Sequence, residues 1–476
     1  MRNKLLTGLF CSMLVPGLPQ IVLPQSLTDR MQTAVKKMET DPQMKHAILS
    51  LYVEDIKTGA VVFDRNSQVG LAPASCQKLF TSVAALDILG PDYRYKTSLG
   101  YDGKLDKGAL KGNIYIVGSG DPTLGSWRYD STRDTLVLAR WTKALSRAGI
   151  RRFEGDIIGD DSRWGTQPLP GGWIWEDIGN YYGAGTWGLN WHENQFDLRM
   201  KPGRAEGDSV KLIQPGEELE IFNWINELRT GAPGSGDNAF IYLPPYSFNA
   251  FVRGTVPLQK EDFVIAGSIP APPRYAAVLL GERLRKEGLV ARAGDAKMAL
   301  EFLLEKKAIG HPDAIVDQYF SPRLDSINYW FLRKSINLYG EALIKTLAFE
   351  KTGIGSTEKG VEIVRDFWGQ RGIDPGAIHI MDGSGLSPQN RVTTDALVKV
   401  LQYARARPWY GSFYKALPEI NGMKMKSGAI GGARSYAGYQ LSRDGHEYVF
   451  SMIVNNYDGA SSAVVKKMFE VLDTLK

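Results

Sequence analysis

Leu71-Ala72-Pro73-Ala74-Ser75-Cys76-Gln77-Lys78-Leu79-Phe80 begins an apolar stretch that stops at Gly90-Pro91. Pro73 suits the start of a helix and Gly-Pro suits its end. Leu79, Val83 and Leu86 form one stripe, which Ala84, Ala85, Ile88 and Leu89 widen, so the helix is expected to be buried. Ser75 and Lys78 stand three apart and share its first turn. A lysine in such surroundings is costly to keep charged, and its pKa should fall. A serine beside a lysine that is neutral at working pH is a nucleophile beside a base.

Ser-x-x-Lys alone is a weak pattern, and it recurs at Ser356-Thr357-Glu358-Lys359 and Ser412-Phe413-Tyr414-Lys415. Setting separates the three. Ser75 opens a buried helix, Ser356 lies in a Gly-rich turn, and Ser412 lies among aromatics.

The 476 residues exceed one ordinary core. Hydrophobic residues make up 43% and charged residues 23%, the balance of a soluble globular protein. The net charge of +5, part of it from Arg2 and Lys4, is too small to argue for nucleic acid. Arg2 and Lys4 precede an apolar run from Leu5 to about Leu18, which reads as a secretory signal cleaved between Leu18 and Gln25. Its removal leaves Cys76 as the remaining cysteine, so no internal disulfide is expected, and export to a bacterial periplasm fits.

Beyond this signal (1–25), the chain divides by texture. Residues 26–95 read helix, strand, strand, helix. Residues 96–269 carry short strands and Gly/Asp turns, with one helix from Thr135 to Ala148, and end at Ile269-Pro270-Ala271-Pro272-Pro273. Residues 270–476 return to helices: Tyr275 to Glu287, about Leu324 to Phe349, Lys359 to Arg371 and Thr394 to Arg405. A hairpin follows, Arg434 to Ser442 and Glu447 to Asn455 around Arg443-Asp444-Gly445. The expected fold class is α+β: an antiparallel sheet flanked by helices and interrupted by a large β-rich insertion.

Ser-x-x-Lys, Ser-x-Asn and Lys-Thr-Gly form one working set in penicillin-binding proteins and class A β-lactamases. Ser-x-Asn occurs at Ser247, Ser326 and Ser335. Lys-Thr-Gly occurs at Lys57 and Lys351, but the first sits in a hairpin turn and the second at a helix end. The third element must be an edge strand facing the cleft. That selects the inexact Lys426-Ser427-Gly428, directly before the C-terminal hairpin.

With these motifs the mature chain resembles the serine-type D-Ala-D-Ala carboxypeptidase/endopeptidases, the class C low-molecular-mass penicillin-binding proteins. Further landmarks are Gly112 to Leu124, Gly155 to Ser162, Lys334 to Glu341 and Asp382-Gly383-Ser384-Gly385-Leu386-Ser387. The resemblance selects Ser335, since Ser321-Pro322-Arg323-Leu324 precedes it at the family distance. It implies the transpeptidase fold shared with serine β-lactamases, and two small accessory domains in 96–269. It further implies Ser75 as nucleophile, Lys78 as general base, Ser335 as proton relay and Asn337 as holder of Lys78 and the substrate amide. Lys426 and Ser427, with Gly428 and Ala429 on the same strand, would bind substrate. The N–H groups of Ser75 and Ala429 would form the oxyanion hole.

The implied partners are peptidoglycan stem peptides, with β-lactams as covalent inhibitors, no cofactor, no metal and no nucleic acid. Peripheral association with wall or membrane is compatible with this reading. Three departures stand out: Ile336 where the family has aspartate, Ser427 for threonine, and Pro388 where arginine often follows Gly-Leu-Ser, with Arg391 nearby. Asp160 or Asp161 could greet a side-chain amine of the substrate, or be plain turn aspartates. Two alternatives remain beside the peptidase: a β-lactamase of the same fold, and a non-catalytic wall-binding or scaffold protein. Gly183 to Gly188 fits the dinucleotide fingerprint but precedes no helix. The five histidines show no metal spacing. The Trp and Tyr residues from Trp164 to Trp191 could line a sugar site, but packing is the first reading.

Overall fold

The computed structural model describes residues 26–213, 222–259 and 261–476. The expected signal segment lies outside the described residues.

A six-stranded antiparallel sheet organises the chain's two ends. Its order is Glu419–Ile420, Met423–Ile430, Ala433–Leu441, Glu447–Asn455, Ile48–Asp55, Val61–Arg65. Alternation along each strand sends successive side chains to opposite faces. Leu49, Leu51, Val53, Phe450, Met452 and Val454 point to one face, where helices Leu27–Glu39 and Ser461–Leu472 cover them. Tyr52, Val449, Ile453, Ala437 and Tyr439 point to the other, against the larger helical layer. That layer includes Lys78–Ile88, Leu324–Arg333, Asn337–Thr352, Thr357–Gly369 and Thr394–Arg405.

The helix expected over Leu324 to Phe349 is two helices. Leu324–Arg333 ends before Ser335, whose φ of 57° is left-handed, and Asn337–Thr352 starts afresh. The apolar pattern runs through the break because both helices bury a face in the same core, so periodicity alone does not reveal it.

The boundary expected at 269/270 also moves. Strand Ala314–Phe320 pairs with Lys96–Tyr101 at the edge of a seven-stranded mixed sheet. Helices Asp134–Arg147 and Pro272–Lys286 supply residues to that sheet's core. The intervening unit therefore runs from about 96 to 320. A second core, from Phe196 to Ile269, is nested inside it and built on two smaller sheets. The Pro-rich stretch at 270–273 starts a helix of the first unit; it does not lead back to the six-stranded sheet. Chain departure and return are clamped together: Tyr95 N–H donates to Ser321 Oγ (2.9 Å), and Ser321 N–H donates to Tyr95 O (3.1 Å).

Helix Thr357–Gly369 approaches Asn337–Thr352 through Gly360, where an added Cβ would lie 2.2 Å from the backbone oxygen of Ile344. In an exposed helix, Gly→Ala gains about 1 kcal/mol. Here the backbone contact cannot yield cheaply, and overpacking costs about 1–3 kcal/mol. Gly360→Ala is expected to lower the denaturant midpoint with an unchanged m-value; a raised midpoint would contradict this packing.

Candidate active site

Ser75 lies in a 3-10 turn, Ala74–Gln77, that runs directly into helix Lys78–Ile88. Ala74 before it is buried and has a φ of 45°. A non-glycine residue held there costs about 1–3 kcal/mol and persists only where its surroundings enforce it. They do so here: Ser435 Oγ donates to Pro73 O, and Gly385 packs on Ala74 so closely that a Cβ would lie 2.0 Å from Ala74 O.

Lys78 is fully buried, and its Nζ lies within hydrogen-bond distance of three oxygens: Ser75 Oγ at 3.0 Å, Asn337 Oδ1 at 2.6 Å and Ser384 O at 2.7 Å. Burial, and then the neighbouring Lys426, hold its pKa well below the ordinary lysine value, against the pull of Asp382 and Glu341. A neutral amine keeps two N–H donors and one lone pair. Asn337 and the Ser384 carbonyl cannot donate to it through the oxygens they present, so they take the two donors. The lone pair is left for the Ser75 hydroxyl, which is the arrangement a general base needs.

Asn337 opens its helix and is oriented at both ends, because Nδ2 donates to Tyr182 O at 2.8 Å. Lys426 Nζ donates to Ser335 Oγ (2.9 Å) and Ser427 O (2.7 Å). Burial brings the Lys426 pKa down to about 8. Strand Met423–Ile430 has a neighbour on its outer side only at Met423 and Lys424, so from Lys426 onward it is an open edge. Gly428 lets that edge press on the turn of Ser75: a Cβ there would meet Pro73 O at 2.4 Å and Ser75 N at 2.9 Å. Ala429, one step further, is exposed.

All three motif segments thus meet around Ser75, and the decoys do not. Ser356 is a helix cap that accepts from Lys359 N–H at 3.2 Å. Thr58 of Lys57-Thr58-Gly59 is bonded into a turn by Asp55. Ser412 Oγ donates to Trp409 O.

Asp160 ends strand Arg152–Asp160, and Asp161 follows it. Both are buried, and they accept from the backbone N–H groups of Ser162 and Ala299 respectively. Ile336 packs in the helical core and leaves the Lys78 contacts undisturbed. The Arg391 guanidinium is taken up by the carbonyls of Pro388 and Asn390. Of the aromatics between Trp164 and Trp191, the tryptophans at 164, 173, 187 and 191 are buried, whereas Trp175 and Tyr181 are about half exposed.

Sequence reasoning missed the Ser384 carbonyl and the buried acids behind it. A backbone acceptor has no side-chain signature. Glu341 accepts Gly383 N–H with both oxygens (3.1 and 3.0 Å), and burial raises its pKa to about 8.

Residues 31–475 match the D-Ala-D-Ala carboxypeptidase 3 (S13) family. The chain is 27% identical to a D-alanyl-D-alanine carboxypeptidase of Actinomadura sp. (strain R39), over 90% of this chain and 82% of that protein. Its fold is similar to the crystal structure of penicillin binding protein 4 (dacB) from Haemophilus influenzae. The TM-score is 0.79 at 20% identity, over 93% of this chain and 98% of that one. A second crystal structure of the same H. influenzae protein, complexed with a β-lactam, gives a TM-score of 0.72 at 20% identity with the same coverage.

Ser335 carries both a hydroxyl and a left-handed backbone. Removing the hydroxyl as Ser335→Gly leaves the backbone relaxed, whereas Ser335→Ala keeps the steric penalty. The glycine variant is expected to be the more stable of the two by about 1 kcal/mol in urea unfolding, the reverse of the usual order. Equal stability would mean the residue is unstrained.

Proposed function

The chain belongs to the D-Ala-D-Ala carboxypeptidase 3 (S13) family, and from that premise we propose that it is an exported serine peptidase of peptidoglycan stem peptides. One observation carries the serine mechanism: the Lys78 amine, with its two donors engaged by Asn337 and Ser384, offers its lone pair to Ser75.

Ser75 Oγ attacks the carbonyl carbon of the penultimate D-alanine, and its proton passes to Lys78 Nζ. The developing oxyanion takes hydrogen bonds from the N–H groups of Ser75 and Ala429, typically worth about 3 kcal/mol each. Collapse breaks the peptide bond. The leaving amine takes the proton that Lys78 had accepted, relayed by Ser335, which Lys426 orients, and Lys78 is neutral again. Lys426 and Ser427 hold the substrate's terminal carboxylate by charge-assisted hydrogen bonds. Water then attacks the acyl-serine with Lys78 again as base, releasing the shortened peptide and restoring Ser75.

Cleavage of D-Ala–diamino-acid cross-links uses the same D-alanyl carbonyl and belongs to the same reading. β-Lactams would acylate Ser75 as mimics of the D-Ala-D-Ala end, which the β-lactam complex of the H. influenzae relative supports. Arg2, Lys4 and the apolar run after them support delivery to a periplasm. Ile336, which stands where the family has aspartate, packs in the helical core, and the amine–hydroxyl contact of Lys78 and Ser75 is present alongside it.

A fluorescent penicillin is expected to label the wild type and not Ser75→Ala, and only the wild type should release D-alanine from a D-Ala-D-Ala pentapeptide. Equal labelling of both proteins would overturn the assignment.

The pH profile follows from two buried lysines of opposite duty. Lys78 must be neutral, so activity falls on the acid side as it gains a proton. Lys426 must be charged to hold a carboxylate, and its charge is present below about 8 and lost above it. A bell-shaped kcat/KM with its alkaline limb near pH 8 is expected for the pentapeptide. In Lys426→Gln that limb should vanish along with most of the activity.

A further inference from the structure

Asp382 lies wholly buried at the floor of the site, and five N–H groups converge on its carboxylate. Oδ1 accepts from Gln77 Nε2 (2.8 Å), Gly385 N (2.8 Å) and Asn390 Nδ2 (3.0 Å). Oδ2 accepts from Ser387 N (2.7 Å) and the indole Nε1 of Trp173 (2.9 Å). Every contact is a donor to oxygen, which is carboxylate behaviour. None of the five comes from a lysine or arginine.

These donors come from three separate parts of the chain. Gln77 is the residue before Lys78, and its Nε2 also donates to Asp382 O at 2.6 Å. Gly385, Ser387 and Asn390 belong to the loop whose Ser384 carbonyl receives Lys78; pairing of Ile378 with Val392 closes that loop at its base. Trp173 belongs to the intervening unit of about 96–320. It is a buried side chain between the exposed Gly171 and the exposed pair Ile174 and Trp175, so it acts as an anchor. Its neighbour Gly172 adds a second tie, accepting from Ser387 Oγ at 3.1 Å, and Tyr182 O adds a third, on Asn337.

We propose that Asp382 is the positioning residue of the Ser75–Lys78 turn, and that the intervening unit takes part in acyl transfer by fixing that carboxylate through Trp173. The inference rests on the reading of the site as an acyl-transfer centre and extends it to residues that touch no substrate.

Two effects follow. The first is geometric: one buried carboxylate holds the residue before the base and the loop whose carbonyl accepts the base's N–H, so its loss lets both drift. A misplacement of about 1 Å costs on the order of 100-fold in rate. The second is electrostatic. The groups facing Lys78 are Cys76 from its own turn, Lys426 from the edge strand, Glu341 and Asn337 from the helix that follows Ser335, and Asp382 from the loop. Glu341 titrates at about 8, so below that pH it is mostly neutral. Asp382 is then the negative group opposing the repulsion from Lys426. Removing its charge lowers the proton affinity of Lys78, and the acid limb of the rate profile moves to lower pH.

The test measures the second-order rate constant for acylation by a fluorescent penicillin, from pH 4 to 10, in full-length wild type, Asp382→Asn and Trp173→Phe. Wild type must label for the comparison to be made; failure of wild type to label overturns the peptidase reading itself. In Asp382→Asn the plateau is expected to fall by about tenfold or more. Its acid limb should move down by about one pH unit. A merely structural role lowers the plateau and leaves the limb in place, and that result overturns the proposal. Trp173→Phe keeps an aromatic ring, though a smaller one, and loses the donor; it should still unfold in one cooperative denaturant transition and acylate several-fold more slowly. If Asp382→Asn does not fold, Trp173→Phe decides alone, and a wild-type rate in that variant overturns the proposal.

Discussion

A primary amine buried from bulk solvent is the condition on which the rest of this molecule depends. In water the Lys78 ammonium would hold its proton far above neutral pH and could not serve as a base. Full burial among Leu79, Phe80 and the helical core reverses that preference, and the nearby Lys426 reinforces the reversal. The same burial makes each unsatisfied donor costly, so both N–H groups of the neutral amine need acceptors. Asn337 and the Ser384 carbonyl meet that need, and they come from segments about 260 and 306 residues further along the chain. The fold can thus be understood as the scaffold that brings two distant acceptors to one amine.

The sheet does the long-range part of this work. Its edge strand carries Lys426 beside Ser335 and presses Gly428 onto the turn of Ser75. The helical layer does the short-range part by breaking at Ser335, which puts Asn337 at the start of a new helix. Strain accumulates at the same points: Ala74 precedes Ser75, Ser335 takes a hydrogen bond from Lys426, and both have left-handed backbones. Stability is given up there for orientation, as is common at functional sites.

Much of this was readable in the sequence. Ser75 and Lys78 stood out because an apolar helix is an unusual place for a lysine. Lys426 stood out because an edge strand must precede the Asp-Gly hairpin, even though Ser427 spoils the literal motif. The break at Ser335 was not readable, since the apolar period from Leu324 to Phe349 continues across it. The boundary placed at 269 failed because Pro270 to Pro273 carries the usual marks of a linker, while strand pairing, a non-local property, decides that Ala314–Phe320 belongs with Lys96–Tyr101. Asp382 lay in a recognised stretch but showed no role, because its meaning comes from five donors scattered between residues 77 and 390. Trp173 was read as packing, which describes its ring and omits its N–H.

The placement of strand Ile48–Asp55 has a consequence for how the molecule is made. It lies inside the six-stranded sheet, between Val61–Arg65 and Glu447–Asn455. A ribosome emitting this chain delivers one neighbour at once and the other some 400 residues later. The nested units, whose cores are drawn from residues between 96 and 320, can condense during that interval. The halves that carry Ser75, Ser335 and Lys426 cannot. Until the last tenth of the polypeptide emerges, Leu49, Leu51 and Val53 lack the strand beside them, so a truncated product would present a sticky ribbon to its surroundings. Completion of the six-stranded sheet is therefore a late event in the making of the chain.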